Sequence, residues 1–256
     1  LHLAERFNAE IISADSMQVY RGLDIGTAKP SREDRQRIPH HLLDAVDLAE
    51  EYDAARFAAQ AAAAVADIQA RGRRVLFCGG TGLYLQAWQY GLIESAAANP
   101  ALRAQLEAMP LPDLLVELEK ADPVAYGRID RHNPRRVVRA VEVIRLTGKP
   151  YSQQRADWGG ASAAHHPARW FGLSWSADDL RQRLEMRVDQ MFARGLVEET
   201  RSLLAHGLTH NRTAMQAIGY RQVVEHLRGE RTLAETIALV KTKTRQYAKR
   251  QMTWFR

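Results

Sequence analysis

The sequence predicts an α/β fold, a parallel sheet core joined to a smaller all-helical region, on the strength of three observations. An apolar pair, Ile11-Ile12, runs straight into a polar loop punctuated by Gly22 and Gly26. An Ala-rich stretch from Asp53 to Arg71, closed by Gly72, leads to a second strand-like run, Arg73 to Cys78, and then to a Gly79-Gly80-Thr81-Gly82 turn. Alternation of this kind implies a right-handed parallel sheet. From Asn99 onward the character changes to short amphipathic helices, with breaks at Pro100, Pro110, Pro112 and Pro123.

Taken in order, the opening LHLAERFNAE reads as the end of a helix with no capping signal, so the chain is expected to start late in its first helix. Ile11 and Ile12 suit a buried parallel strand. A short apolar run follows at His41 to Val46. Composition and length make Asp53 to Arg71 a helix ended by Gly72, Arg73 to Cys78 a strand, and the segment through Leu85 and Trp88 a helix. This half reads as a nucleotide-kinase-like core. Further helices are expected from Asn133 to Leu146, from Ala177 to His206 as one long element, from Tyr220 to Leu227 and from Leu233 to about Gln251. The sequence RWFGLSW, Arg169 to Trp175 between Pro167 and Ser176, is expected to add a strand to the core sheet. Gly159 to Ala164 is expected to be a flexible loop. These elements place the core in residues 1–98, 133–180 and 237–256, and a helical lid or insertion in 99–132 and 181–236.

The 256 residues are enough to bury a sizeable interior, and the one cysteine, Cys78, cannot form an intramolecular bridge. Its place at the end of Val75-Leu76-Phe77 suggests a buried strand residue in a reducing compartment. No apolar run approaches the roughly 20 residues that span a bilayer, and the start lacks the layout of a secretion signal, so a cytoplasmic protein is expected. The formal charge of +6 comes with local clusters. Six Lys or Arg and no acid lie between Lys241 and Arg256, and six Arg lie between Arg128 and Arg145 against Asp130 and Glu142. Such clusters point to nucleic acid or polyphosphate, or to a solvated surface face.

Asp15 is placed where ligands collect in open α/β sheets, at the carboxyl end of a strand. Asp15 and Ser16 also suit a capping pair at a βα turn. Beyond them, Gly22 and Gly26 permit tight turns while Thr27 and Lys29 offer a hydroxyl and a cation, a mixture suited to phosphate and base recognition. Thr81 follows two glycines at a strand end, so its hydroxyl can meet a diphosphate at the helix start or cap that helix. Arg135 and Arg139 lie four apart on one helix face, suited to a diphosphate or RNA backbone, or to surface pairing with Glu142 or Asp130. Lys241, Arg245 and Lys249 form a stripe continuing into Arg250, Trp254, Phe255 and Arg256; repulsion along it calls for a bound polyanion. Trp254 and Phe255 suit core anchoring or base stacking. The pairs His40-His41 and His165-His166 lack the spacing of a structural zinc site.

Five segments, in order, resemble the tRNA dimethylallyltransferase (isopentenyltransferase) family: Ile11 to Pro30 (IISADSMQVYRGLDIGTAKP), Cys78 to Leu85 (CGGTGLYL), Asn133 to Val143 (NPRRVVRAVEV), Ala217 to Arg221 (AIGYR) and Thr244 to Arg256 (TRQYAKRQMTWFR). They span nearly the whole chain. The resemblance implies a P-loop nucleotide-kinase-like core and transfer of a dimethylallyl group from dimethylallyl diphosphate to the exocyclic amine of the adenosine 3′-adjacent to the anticodon. It assigns the role of accepting the amine proton to Asp15, with Thr81 and Arg139 as further catalytic residues, Thr81 at the reacting centre, and the diphosphate held by Thr81, Arg139 and Arg221. Ser16, Met17 and Gln18 would flank the target base, although Met17 equally suits a place in the core. The tRNA would also meet Arg103, Arg135, Arg136, Gln216, Gly219, Tyr220, Arg221, Lys249, Arg250, Trp254 and Arg256. Mg2+ would accompany the diphosphate, the tRNA anticodon stem-loop would be the partner, and the chain is expected to act as a monomer. The family's phosphate loop, GxxxxGK[ST], has no counterpart in these 256 residues and is expected upstream of Leu1. Three other readings remain open: an adenylate isopentenyltransferase acting on free nucleotide, a small-molecule kinase, and a basic RNA-binding module without catalysis.

Overall fold

The computed structural model describes residues 1–91, 99–153 and 168–256. Helices dominate, and the strands form one three-stranded parallel sheet in the order β2-β1-β3. Its members are β1 (Ala9–Ser13), β2 (His40–His41) and β3 (Arg74–Cys78), preceded or separated by α1 (His2–Phe7), α2 (Arg32–Arg37) and α3 (Ala54–Ala70). Every residue of β1 is buried, as a central strand flanked on both edges requires. The pairing runs from Ala9 opposite Arg74 to Ser13 opposite Cys78, so the strands β1 and β3 end level. That register brings the loop after Ser13 and the turn after Cys78 to one place. Asp53 caps α3 by accepting the Arg56 N–H, and Gly72 takes a left-handed φ of +69° just past its end.

The chain divides into two compact units, one of Leu1–Gln89 with His166–Arg256 and one of Tyr90–His165. The first holds the sheet, α4 (Gly82–Tyr90) up to its last residue, and, after the second unit, α9 (Ala177–Ala193), α10 (Leu196–Ala205), α11 (Tyr220–Leu227) and α12 (Leu233–Trp254). Val19, Tyr20 and Leu23 share its core with Met191, Leu196, Leu203, Tyr220 and Val223. The second unit contains α5 (Pro100–Ala108), α6 (Leu111–Ala121), α7 (Pro123–Arg128) and α8 (Pro134–Thr147) around Leu106, Leu114, Leu118, Val137 and Val141.

These boundaries differ from those expected. α8 packs with the proline-bounded helices, while α9 to α11 complete the sheet's core. An amphipathic pattern fixes which face of a helix is apolar, and several cores can accept the same face. The long helix expected from Ala177 to His206 is two, because Gly195 adopts φ +98° between α9 and α10. α12 runs three residues past Gln251, to Trp254. The strand expected at Arg169 to Trp175 is irregular chain, with Phe171 86% and Leu173 90% exposed. Strand propensity needs a hydrogen-bonding neighbour to become a strand, and this stretch pairs with none among the described residues. For a related reason Cys78 is exposed and not buried: β3 is an edge strand, its ends open and its middle half-buried. The loop expected at Gly159 to Ala164 and the pair His165-His166 lie outside the described residues.

Candidate active site

Level strand ends join two loops by backbone hydrogen bonds. The Ala14 N–H donates to the Cys78 carbonyl at 2.9 Å, and the Thr81 N–H donates back to the Ala14 carbonyl at 3.1 Å. The half-buried Asp15 turns its Oδ1 onto the backbone N–H groups of Met17 at 2.8 Å and Gln18 at 3.3 Å, which fixes the carboxylate. Its second oxygen accepts no hydrogen bond among the described residues. The capping reading of Asp15 therefore accounts for half of the group and leaves the other half for a ligand.

Thr81 stands at the start of α4, its carbonyl accepting the N–H groups of Tyr84 and Leu85. Its hydroxyl does not cap that helix. The Oγ1 accepts the Ser16 N–H at 3.0 Å and lies 3.4 Å from the Ser16 Oγ, so Thr81 is held against the residue next to Asp15. The phenol of Tyr247, on α12, is pushed above its ordinary pKa first by burial and then by the Asp15 charge, with opposing hydrogen-bonding influence from Gln251 and Thr81. Close packing explains the glycines of the turn. A Cβ on Gly79 would overlap the Ala14 backbone, one on Gly80 the Gln251 amide, and one on Gly82 the Trp254 indole.

The remainder of the long loop is committed to its own scaffold. Gln18, expected at a base edge, donates from Nε2 to the Thr27 carbonyl at 3.0 Å and accepts the Ser13 hydroxyl at 2.9 Å. Met17 packs against the core cluster. Thr27 turns its hydroxyl onto the Leu23 carbonyl, and Lys29, with 1% of its side chain exposed, donates to the Tyr20 carbonyl, Asp24 and Asp44 at 2.6 to 2.8 Å. Neither offers the hydroxyl or cation expected for a ligand; both are internal fasteners. Asp44 is drawn two ways: burial raises its pKa, but Lys29 and Arg35 outweigh this and hold it low. A cleft of about 370 Å³ beside them is lined by Asp24, Lys29, Arg32, Arg35, Asp44 and Arg194, and by neither Asp15 nor Thr81.

Tyr220, expected to meet RNA, is fully buried. Its hydroxyl accepts the Gly26 N–H at 3.1 Å and donates to Glu199 Oε1 at 2.6 Å, while Glu199 itself collects the N–H groups of Asp24, Ile25 and Gly26. Burial, followed by the Glu199 charge, pushes the Tyr220 pKa strongly upward. The AIGYR and DIGTAKP segments are thus two halves of one joint, and Tyr220 works from inside it. Gly219 is buried at φ +103°, Gln216 is exposed and donates to the Arg212 carbonyl, and Arg221 is exposed and pairs with Glu225 at 3.1 Å.

On α12 the expected stripe is partly neutralised within the protein. Lys241 pairs with Asp189 and Arg245 with Glu185, both at 2.7 Å, so acids on α9 offset the repulsion for which a polyanion was expected. Lys249, Arg250 and Arg256 remain exposed, with the Arg250 guanidinium 5.6 Å from the Tyr247 ring centre.

In the second unit, Arg103 and Arg139 converge on one oxygen of the fully buried Glu142, at 2.6 and 2.8 Å, and its other oxygen accepts the Asn99 N–H at 3.2 Å. Burial alone would raise the Glu142 pKa, but the two arginines hold it below the ordinary carboxylate value. Arg135 and Arg136 are exposed, without an ion pair among the described residues. The pairing with Glu142 that the sequence left open is thus present, but around a buried carboxylate and not at the surface; sequence reasoning missed Gln251, which sits inside a quoted motif, and Glu199, which carries no local signal.

The family model described as IPP transferase matches residues 18–256. The chain is 46% identical over 253 residues to tRNA dimethylallyltransferase 1 of Citrifermentans bemidjiense, covering 99% of this chain and 82% of that protein. It is 47% identical over 260 residues to the tRNA dimethylallyltransferase of Geobacter metallireducens, covering 100% and 84%. Among solved structures, the full-length tRNA isopentenylpyrophosphate transferase of Bacillus halodurans superposes with a TM-score of 0.69 at 40% identity, covering 99% of this chain and 80% of that one. A eukaryotic dimethylallyltransferase acting on tRNA gives a TM-score of 0.84 at 32% identity, covering 99% and 65%.

Proposed function

The chain belongs to the IPP transferase family, and we propose that it is a tRNA dimethylallyltransferase that uses Asp15 as the acceptor of the amine proton. One observation supports this choice of residue above the others. Asp15 is fixed through one carboxylate oxygen, has the other without a hydrogen bond among the described residues, and lies beside Thr81 at the ends of two parallel strands. In the proposed reaction the exocyclic nitrogen of adenosine attacks the first carbon of dimethylallyl diphosphate. A carbon–nitrogen bond forms, the carbon–oxygen bond breaks and diphosphate leaves. The amine proton passes to Asp15, whose fixed geometry favours that transfer. Arg139 and Arg221 are assigned to the charge that develops on the leaving group, and Thr81 to its placement.

The target is taken to be the adenosine 3′-adjacent to the anticodon, which must leave the stack of the anticodon stem-loop to be reached. The exposed cations Lys249, Arg250, Arg256, Arg135 and Arg136 would serve the RNA backbone. Among the described residues no group of three His, Cys, Asp or Glu side chains is placed to hold a metal. Mg2+ would accompany the diphosphate, and no step above depends on it. No helix among the described residues is long and apolar enough to cross a membrane; a monomer working in the cytoplasm completes the proposal. Incubating the protein with radiolabelled dimethylallyl diphosphate and unmodified tRNA is expected to label the RNA. No label in tRNA, with label appearing on free adenylate, would overturn the reading in favour of the nucleotide-acting enzyme.

A further inference from the structure

We propose that Gln251 is a positioning residue for the catalytic turn, with Trp254 as its packing partner: together they set the Gly79–Gly82 turn and so the placement of Thr81 against Asp15. The inference rests on the reading that Asp15 and Thr81 face the reacting groups. Gln251 Nε2 donates to the Gly80 carbonyl at 3.1 Å, where the two residues are far apart in sequence and joined by nothing local. The fit is steric as well as polar. A Cβ on Gly80 would occupy the space of the Gln251 amide and a Cβ on Gly82 that of the Trp254 indole, so the glycines are needed to admit this helix.

The grip passes to the chemistry in short steps. The Gly80 carbonyl is held by Gln251, the next residue's N–H is held by Ala14, the Thr81 hydroxyl holds the Ser16 N–H at 3.0 Å, and Ser16 adjoins Asp15. The helix that delivers Gln251 is itself anchored, since Lys241 and Arg245 pair with Asp189 and Glu185 on α9. Tyr247, one turn before Gln251 on the same helix, has its phenol pKa raised by burial and then by the Asp15 charge. A half-buried glutamine near the end of a helix contributes little to a core. Its effect on the position of a catalytic hydroxyl is larger, because small displacements of reacting groups cost rate steeply.

Gln251→Met keeps the side-chain length and removes the donor. It is expected to lower kcat for prenyl transfer about tenfold with KM for tRNA nearly unchanged, the signature of an interaction that matters in the transition state. Amide hydrogen exchange at Gly80 to Gly82 is expected to quicken in the same variant. Gly80→Ala, which drives the Gln251 amide out of its seat, is expected to give a similar loss, and the double variant no more than the larger single one, as two changes to one contact require. A Gln251→Met enzyme with wild-type kcat and unchanged exchange would overturn the inference, as would one whose only change is a lower melting temperature. If Gly80→Ala does not fold, Gln251→Met decides alone. Should the wild-type protein transfer nothing to tRNA, the proposed function falls, while the exchange rates still decide whether Gln251 holds the turn.

Discussion

The two turns at the carboxyl end of the sheet are held by opposite means. The loop after β1 is fastened from inside, by the fully buried Tyr220, by Glu199 collecting three backbone N–H groups, and by a lysine with almost no exposed side chain. The turn after β3 is gripped from outside, by the half-buried Gln251 and a Trp254 that is 47% exposed. The difference teaches where mutation will be felt. Fasteners sealed from water carry stability, because a partner left unpaired there has no solvent to turn to. A grip at the surface contributes little to stability and acts on geometry.

The largest test strikes the buried side. Lys29→Met removes the cation that serves Asp24, Asp44 and the Tyr20 carbonyl; with Asp24 half-exposed and Asp44 still paired to Arg35, the loss of these charge-assisted bonds is expected to cost about 2–3 kcal/mol, read as a fall in the urea midpoint. If stability were unchanged, the contrast between the two turns would fail. Next comes the proposed proton acceptor between them. Asp15→Ala is expected to cut turnover roughly 10²-fold while sparing tRNA affinity; equal losses of rate and binding would make Asp15 structural. Tyr220→Phe is milder, expected to cost about 1–2 kcal/mol because Gly26 and Glu199 lose a partner in a buried place, with kcat per folded molecule little changed.

The smallest effect extends the contrast to the second unit, where a buried carboxylate serves two part-exposed arginines. Glu142 has a folded pKa below its ordinary value of 4.5. Its contribution to stability is therefore complete above that value and is lost as pH falls through the lower folded one. Glu142→Gln should be less stable near neutrality and should show a flatter acid limb when melting temperature is followed from about pH 6 to about pH 3. An acid limb identical to that of the wild type would remove Glu142 from the buried class.

Much of this was legible in the chain. Period and punctuation located α3, β3, α8 and α11 to within a residue or two, because caps such as Asp53 and stops such as Gly72 and Gly148 act locally. The five motif segments singled out Asp15 and Thr81, which the fold holds side by side through Ser16. Roles within those motifs were harder to read. Lys29 and Thr27 look like ligand groups in a polar loop, yet the loop folds over them. Tyr220 reads as a recognition residue until its hydroxyl is seen to serve Gly26 and Glu199. The basic stripe of α12 called for a polyanion, but Asp189 and Glu185 on another helix meet part of that need.

By itself the sequence determined the type of elements such as α3, β3, α8 and α11 and the family, and singled out Asp15 as the candidate carboxylate, since these depend on interactions among near neighbours and on motif order. Only the tertiary structure decided which charges are spent inside the protein, which helices share a core, and that the glycines of the Gly79–Gly82 turn make room for Gln251 and Trp254. The physical reason is common to all three: burial and pairing join residues far apart in the chain, and no local pattern records the partner on the other side.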